Sequence, residues 1–280
     1  MTPKARKQFA QHWLRSEKAL NKIIATACLQ PQDSLLEIGP GTGILTRQLL
    51  PQVQSLVAVE IDRDLCDLLA KKLGSIENFL LLQGDFLSLD LATNLAPFPN
   101  FQQPKKVVAN IPYNITGPIL EKLLGTISQP NLNPFDLIVL LVQKEVAERL
   151  SAKPGSRNFG ALTVRVQYLA ECEFICDVPA KAFSPPPNVD SAVVRLRPRL
   201  LETQANDAKY LETIVKVGFS SKRKMLKNNL KSIVESDRLC LLLEQLKVNP
   251  QSRAEDLSVQ QWVALSNILI PDVEPCTPTP

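Results

Sequence analysis

Asn110-Ile111-Pro112-Tyr113 sets an amide, an aliphatic residue, a ring-locked residue and an aromatic in direct succession at the end of the hydrophobic run 107-VVAN. A turn uses Asn and Pro but has no need of an adjoining aromatic. A flat ligand that carries N–H groups has a use for all four residues. The side-chain oxygen of Asn110 can accept one N–H bond and the carbonyl of Ile111 another, because a residue before proline is pushed to extended geometry. Pro112 stiffens the turn and removes a competing donor. Tyr113 offers an aromatic face to such a flat ligand.

A second group of residues suits a nucleoside. Leu36-Glu37-Ile38-Gly39-Pro40-Gly41-Thr42-Gly43 places three glycines on alternate positions after an apolar run, where the backbone can turn sharply and approach a ligand closely. The spacing is G-x-G-x-G with an acid two residues before it, not the G-x-G-x-x-G of a dinucleotide fingerprint, and no substrate acid–base pair accompanies it, which counts against a nicotinamide-dependent reductase. Glu60 closes the run 56-LVAVE, where a carboxylate can accept both ribose hydroxyls, and Asp85 follows 79-FLLLQ, where it can take an exocyclic amine of adenine.

These residues need a scaffold that gathers them. The runs 34-SLLEI, 56-LVAVE, 79-FLLLQ, 105-KKVVAN and 136-DLIVLLV are each followed by a turn and a segment of helical period, which predicts βαβ units and a parallel sheet. Each candidate residue then falls at a strand's carboxyl end, where open α/β sheets bind ligands. Runs near 171-ECEFICDV and 191-SAVVRLR, separated by the irregular 184-SPPPN, suit an antiparallel addition at the sheet edge. After Arg199 the β-branched runs vanish, and helices are predicted near 207–219, 222–233, 236–246 and 258–269, ahead of the proline-rich PDVEPCTPTP. We therefore expect a catalytic α/β domain over 1–200 and a small all-α domain over 201–280.

The 280 residues, 45% of them hydrophobic, suffice for a domain of ordinary size and a smaller one. No run of about 18 apolar residues occurs, and the start has no signal-peptide core, so a cytoplasmic protein without membrane contact is expected. The six cysteines are scattered and the single histidine is remote from the one C-x3-C pair, so neither a metal site nor a disulfide framework is expected. The net charge of +4 is unevenly spread. Residues 1–22 carry Lys4, Arg6, Lys7, Arg15, Lys18 and Lys22 against Glu17 alone, and Lys216 to Lys231 carries six basic residues and no acid. Two such clusters suit a nucleic-acid groove as well as two solvated helix faces.

The ordered blocks 6-RKQFAQHWL, 36-LEIGPGTGILT, 58-AVEID, 84-GDFL, 110-NIPYN, 143-QKEVAERL, 159-FGALTV, 183-FSPPPNVDS and 219-FSSKRKMLKNNL resemble those of Rossmann-like, S-adenosylmethionine-dependent methyltransferases. More narrowly, they resemble the ribosomal RNA adenine dimethylases of the small subunit, over nearly the whole chain. The resemblance implies transfer of methyl groups from S-adenosyl-L-methionine to the N6 of two adjacent adenines in the 3′-terminal hairpin loop, during small-subunit biogenesis. It implies cofactor contacts at His12, Leu14, Gly39, Gly41, Glu60, Asp85 and Asn110, and a target-base site of Asn110, Ile111, Pro112, Tyr113 and Phe183. It further implies a monomer whose partner is small-subunit ribosomal RNA in the immature subunit, and the acid-free basic run then makes Lys222, Arg223, Lys224 and Lys227 the expected RNA contacts. Members of this family carry G-Q-N-F-L where this chain has Ala10-Gln11-His12-Trp13-Leu14, so the role of His12 is the least defined. The large-subunit adenine methylases share the glycine turn and the N-[IL]-P-Y motif, but 183-FSPPPNVDS and 219-FSSKRKMLKNNL look like the small-subunit enzymes. A non-catalytic assembly factor is the other alternative, and the intact motifs speak against it.

Overall fold

The structure is a computed structural model that describes Arg6 and residues 11–270; the proline-rich tail and residues 7–10 of the first block lie outside the described residues. The elements run β1 (Trp13–Leu14), α1 (Glu17–Ala27), β2 (Ser34–Ile38), α2 (Ile44–Leu49), β3 (Ser55–Glu60), α3 (Arg63–Leu73), β4 (Phe79–Gln83), α4 (Leu91–Leu95), β5 (Lys106–Asn110) and α5 (Thr116–Leu124). They continue with β6 (Leu137–Gln143), α6 (Lys144–Leu150), α7 (Ala161–Leu169), β7 (Ala170–Val178), β8 (Phe183–Ser184), β9 (Ser191–Pro198), α8 (Ala208–Gly218), α9 (Leu226–Asn229), α10 (Ser236–Gln245) and α11 (Val259–Leu269).

The seven-stranded sheet has the order β4-β3-β2-β5-β6-β9-β7. The five predicted runs form its parallel part, β4 to β6, and β9 pairs antiparallel with β6 from Ile138↔Leu196 to Gln143↔Ser191. Every residue of β3 is buried, as the continuous apolar run demands of a strand covered on both faces. Successive strands reverse direction of travel across the sheet between β2 and β5, the point where crossovers leave a crevice at the carboxyl edge. Ile23, Leu35, Leu49, Leu69, Val108 and Val139, all fully buried, belong to the core cluster of this sheet. Helix α3 begins on Asp62, whose side chain accepts from the Asp64 amide at 3.0 Å.

The chain divides into two compact units. The first holds the residues up to Leu124, Asn131–Glu148 and Cys172–Pro198; the second holds Gly125–Pro130, Arg149–Glu171 and the chain from Arg199. One break between the units falls at Pro198/Arg199, and the second unit also takes in two segments from earlier in the chain. The reason lies in the second unit's aromatic core. Phe159, fully buried, lies 6.4 Å from the Phe219 ring, which lies 5.6 Å from that of Trp262. The C-terminal helices thus complete their core with a residue far upstream. Gly218 is needed at this contact, since a Cβ there would stand 2.4 Å from the Trp262 ring.

The helix expected over 222–233 is not formed. Ser221–Lys224 makes a turn, with the Lys224 amide donating to the Ser221 carbonyl at 3.1 Å, and α9 spans only Leu226–Asn229. The buried Asn229 amide donates to the Gly218 and Ser221 carbonyls at 2.6 and 3.1 Å, which holds the chain in this non-helical path.

Candidate active site

The carboxyl ends of β2, β3, β4 and β5 deliver Gly39, Glu60, Asp85 and Asn110 to one cleft in the first unit, with about 770 Å³ of empty space. His12, Gly41, Ile111, Pro112 and Tyr113 line it as well. Gly39 and Gly41 have φ of +67° and +58°, in the left-handed region that favours glycine. The turn is tied to the next strand twice. The Gly39 amide donates to the Val59 carbonyl at 2.9 Å, and the Gly41 amide donates to Glu60 Oε2 at 3.0 Å.

Glu60 is 5% exposed, and its Oε1 accepts from the Asp62 amide at 3.0 Å. Burial pushes its carboxyl above the usual range, while the Asp62 and Gly41 amides pull it down. Each oxygen retains a further lone pair, so a ribose diol can still be accepted. Ile61 beside it is 46% exposed and lines the same cleft, an apolar surface suited to a nucleobase. Asp85 is exposed, and its Oδ1 accepts from the Leu87 amide at 2.9 Å, which leaves Oδ2 to meet an amine. From α5, Lys122 Nζ donates to the carbonyls of Leu87 and Leu89 at 3.0 and 2.6 Å and stands 5.0 Å from the centre of the Phe86 ring. Burial lowers the pKa of Lys122, against the charges of Asp85 and Asp90. Lys122 thereby pins the loop that carries Asp85. Sequence reasoning passed over it, since one lysine in an amphipathic helix gives no signal.

The N-terminal segment closes the cleft's other side. β1 pairs antiparallel with β8 in a separate two-stranded sheet, with Trp13 opposite Ser184 and Leu14 opposite Phe183. Arg6 and Gln11 donate to Asp62 Oδ1 and Oδ2 at 3.0 and 2.9 Å, which ties the segment to the turn after Glu60. Asn110 Nδ2 donates to the His12 carbonyl at 3.2 Å, and His12 Nδ1 is bonded to the Pro185 carbonyl at 2.8 Å. The Tyr113 hydroxyl is hydrogen-bonded to Ser191 Oγ, and its burial raises the phenol pKa.

Two expected site residues are not brought to the cleft. Leu14 and Phe183 are 5% and 4% exposed and belong to the hydrophobic core. Directly opposed residues of a strand pair share a face, so the register that sends Trp13 toward the glycine turn sends Leu14 and Phe183 inward together. Lys222, Arg223 and Lys224 lie in the second unit and are exposed, and Lys227 there is half-buried. Lys222 Nζ donates to the Arg157 carbonyl at 3.3 Å.

The cleft fits an adenosyl sulfonium. Glu60, Ile61 and Asp85 together would hold an adenosine by its diol, ring and amine. The Trp13 indole N–H, buried and lacking a hydrogen-bond partner among the described residues, lies 3.4 Å from where a Gly41 Cβ would stand, so a donor is available at the glycine turn for a ligand carboxylate.

Residues 2–270 match the family described as ribosomal RNA adenine dimethylase. The chain is 74% identical over 264 residues to a ribosomal RNA small subunit methyltransferase A of a Nostoc species, covering 94% of this chain and 97% of that one. It is 72% identical over 270 residues to the protein of that name in Nostoc punctiforme, covering 94% of each. Among solved structures, a dimethyladenosine transferase from Plasmodium falciparum is 28% identical with a TM-score of 0.74, covering 91% of this chain and 96% of that one. The 23S rRNA methyltransferase ErmE is 29% identical with a TM-score of 0.72, covering 92% and 99%. The chain belongs to the ribosomal RNA adenine dimethylase family.

Proposed function

We propose that the protein transfers methyl groups from S-adenosyl-L-methionine to the N6 of two adjacent adenines in the 3′-terminal hairpin loop of small-subunit ribosomal RNA, giving N6,N6-dimethyladenosine. The carrying observation is that one cleft holds both the nucleoside acids, Glu60 and Asp85, and the Asn110–Tyr113 turn. When bound, the cofactor supplies an electrophilic methyl on a sulfonium. The adenine amine is a poor nucleophile because its lone pair is delocalised into the ring, so the protein must position and polarise it. With Nδ2 turned to the His12 carbonyl, Asn110 leaves Oδ1 to accept one N–H of the amine. The Ile111 carbonyl accepts the other. Both bonds strengthen as the nitrogen becomes tetrahedral and cationic, which is preorganised stabilisation of developing charge. The proton is then lost readily to water, and no dedicated base is needed.

Fold does not separate a small-subunit from a large-subunit substrate, since the two solved relatives have TM-scores of 0.74 and 0.72. The 74% identity to a protein named for the small subunit favours that substrate. We infer that it acts as a monomer on the immature subunit, in the cytoplasm, with Lys222, Arg223, Lys224 and Lys227 on RNA phosphates. The test is mass spectrometry of adenosine products after incubation with labelled cofactor and undermethylated small subunits. Dimethyladenosine in small-subunit RNA is expected; product confined to large-subunit RNA, or arrest at monomethyl under excess cofactor, defeats the reading.

A further inference from the structure

Lys122 bridges the two halves of the cleft. Its helix, α5, grows out of the Asn110–Tyr113 turn, where the Thr116 hydroxyl donates to the Tyr113 carbonyl at 3.3 Å. Ile119, Leu120 and Leu123, each at most 1% exposed, seat that helix in the interior, so the stem of Lys122 springs from a fixed backbone. The ammonium reaches the loop that carries Asp85. Nζ donates to the Leu87 and Leu89 carbonyls at 3.0 and 2.6 Å, and among the described residues no backbone amide donates to either. The amides of the same two residues hold Asp85: that of Leu87 donates to Oδ1 at 2.9 Å and that of Leu89 to the Asp85 carbonyl at 2.9 Å. Lys122 thus fixes from behind the two residues that orient the Asp85 carboxylate. It also lies 5.0 Å from the centre of the Phe86 ring, a cation–π contact with a side chain that lines the cleft. Asp90, the other acid near the ammonium, is already engaged at the start of α4, where it accepts from the Ala92 amide and the Thr93 hydroxyl at 3.0 and 2.8 Å.

We propose that Lys122 is a positioning residue for the cofactor's adenine: it holds Asp85 Oδ2 where the exocyclic amine arrives, and so sets the preference of the cleft for a 6-amino over a 6-oxo purine. The inference rests on the reading of the cleft as an S-adenosyl-L-methionine site, and adds to it a residue outside the cleft's lining. An amine donates to the carboxylate, whereas a 6-oxo group sets one acceptor against another. Only the 6-amino ligand gains from a preset Oδ2, because its bond is then not offset by the cost of ordering the loop.

The test measures binding of S-adenosylhomocysteine and of S-inosylhomocysteine, in which a 6-oxo group replaces the amine. The proteins are the parent, Lys122→Met, Lys122→Arg, Asp85→Ala and the double variant Lys122→Met with Asp85→Ala, each checked by thermal melting. Lys122→Met keeps an unbranched stem without the donors. It should weaken S-adenosylhomocysteine by about 2- to 12-fold, the worth of one ordinary hydrogen bond, and leave the inosyl analogue within about 2-fold of the parent. Lys122→Arg retains donors for the two carbonyls and should recover most of the preference. Because Lys122 acts through Asp85, adding Lys122→Met to Asp85→Ala should cost no further affinity. An equal loss for both ligands in Lys122→Met marks a merely structural role and overturns the proposal, as do additive losses in the double variant. Should Lys122→Met fail to fold, Lys122→Gln, which lacks the ammonium, takes its place under the same expectations. No RNA enters the measurement, which separates it from methyl transfer. The expected preferences without any dimethyladenosine would sink the proposed function and leave Lys122 its role. An unchanged preference in Asp85→Ala would mean that the amine is not read there, and the proposal falls even where dimethyladenosine forms.

Discussion

Asn110 donates its amide N–H to the carbonyl of His12, 98 residues away in sequence, at 3.2 Å. This bond fixes which way the amide faces, because only the nitrogen can donate to a carbonyl. The oxygen is left for the substrate. The acceptor on His12 is a backbone atom, so the bond survives any substitution at position 12.

Removal of that oxygen is the direct check on the chemistry. Asn110→Ala deletes one preorganised hydrogen bond, and by analogy with a lost oxyanion donor it should slow transfer roughly 10²–10³-fold at saturating cofactor. RNA affinity should persist, since it comes mainly from phosphates and stacking. A folded Asn110→Ala protein that methylates at close to the parental rate makes the tetrapeptide a turn and nothing more.

Tyr113 gives a separate expectation. On sequence alone, Tyr113→Phe retains the aromatic face and should lose little. The hydroxyl, however, meets Ser191, which is fully buried, so the substitution strands a hydroxyl in the core. That should cost about 1–3 kcal/mol of stability, while methylation per folded molecule stays near the parent's. Replacing both partners, Tyr113→Phe with Ser191→Ala, should be milder than Tyr113→Phe alone, because no polar group is then left unpaired. Thermal melts of the three variants check this, and an additive double variant removes the coupling.

Much of this site was legible because strand ends are. A period-2 or continuous apolar run locates a strand, the topology rule puts ligands at its carboxyl end, and Gly39, Glu60, Asp85 and Asn110 follow from that. What pairs at long range was not legible. The two-residue strand Trp13–Leu14 is too short to carry a period, and only its register with Phe183–Ser184 decides that Phe183 turns inward. Lys222 to Lys227 has a helix-like composition, yet Asn229 holds the preceding turn through two carbonyls. Phe159 likewise gives no sign in sequence that it completes the core around Trp262.

Glu37 should make stability depend on pH. It is 1% exposed, and burial, with the Glu60 charge acting in the same direction and the Thr46 hydroxyl against both, pushes its carboxyl to about 8 from 4.5. Between those values the native state holds a proton that the unfolded chain has released, so stability falls as pH rises through that window. Glu60, also raised, works in the same direction. Glu37→Gln carries no such proton, and its melting temperature should fall less than the parent's as pH is raised from about 5 to about 8. Parallel pH curves for the two proteins would show that Glu37 is ionised in the folded state.

The last expectation concerns the second unit. Lys222, Arg223 and Lys224 stand exposed in the turn before α9, and Lys227 lies within that helix. Lys222 spends a hydrogen bond on the Arg157 carbonyl, a neutral acceptor, and no acidic partner for it occurs among the described residues. Such charges either sit on RNA phosphates or are merely solvated. If they sit on phosphates, each contact releases a counterion, and replacing all four with Gln should flatten the dependence of RNA binding on salt by up to about 0.9 log units per lost duplex contact. The loss of affinity should be largest at low salt, where released counterions count most. Cofactor affinity should hardly change, because Glu60, Asp85 and the glycine turn belong to the other unit. The measurement is subunit or RNA binding by parent and quadruple variant over a salt series. Equal slopes for the two proteins would return the cluster to an ordinary solvated turn, whereas a reduced slope with parental cofactor binding assigns it to the RNA.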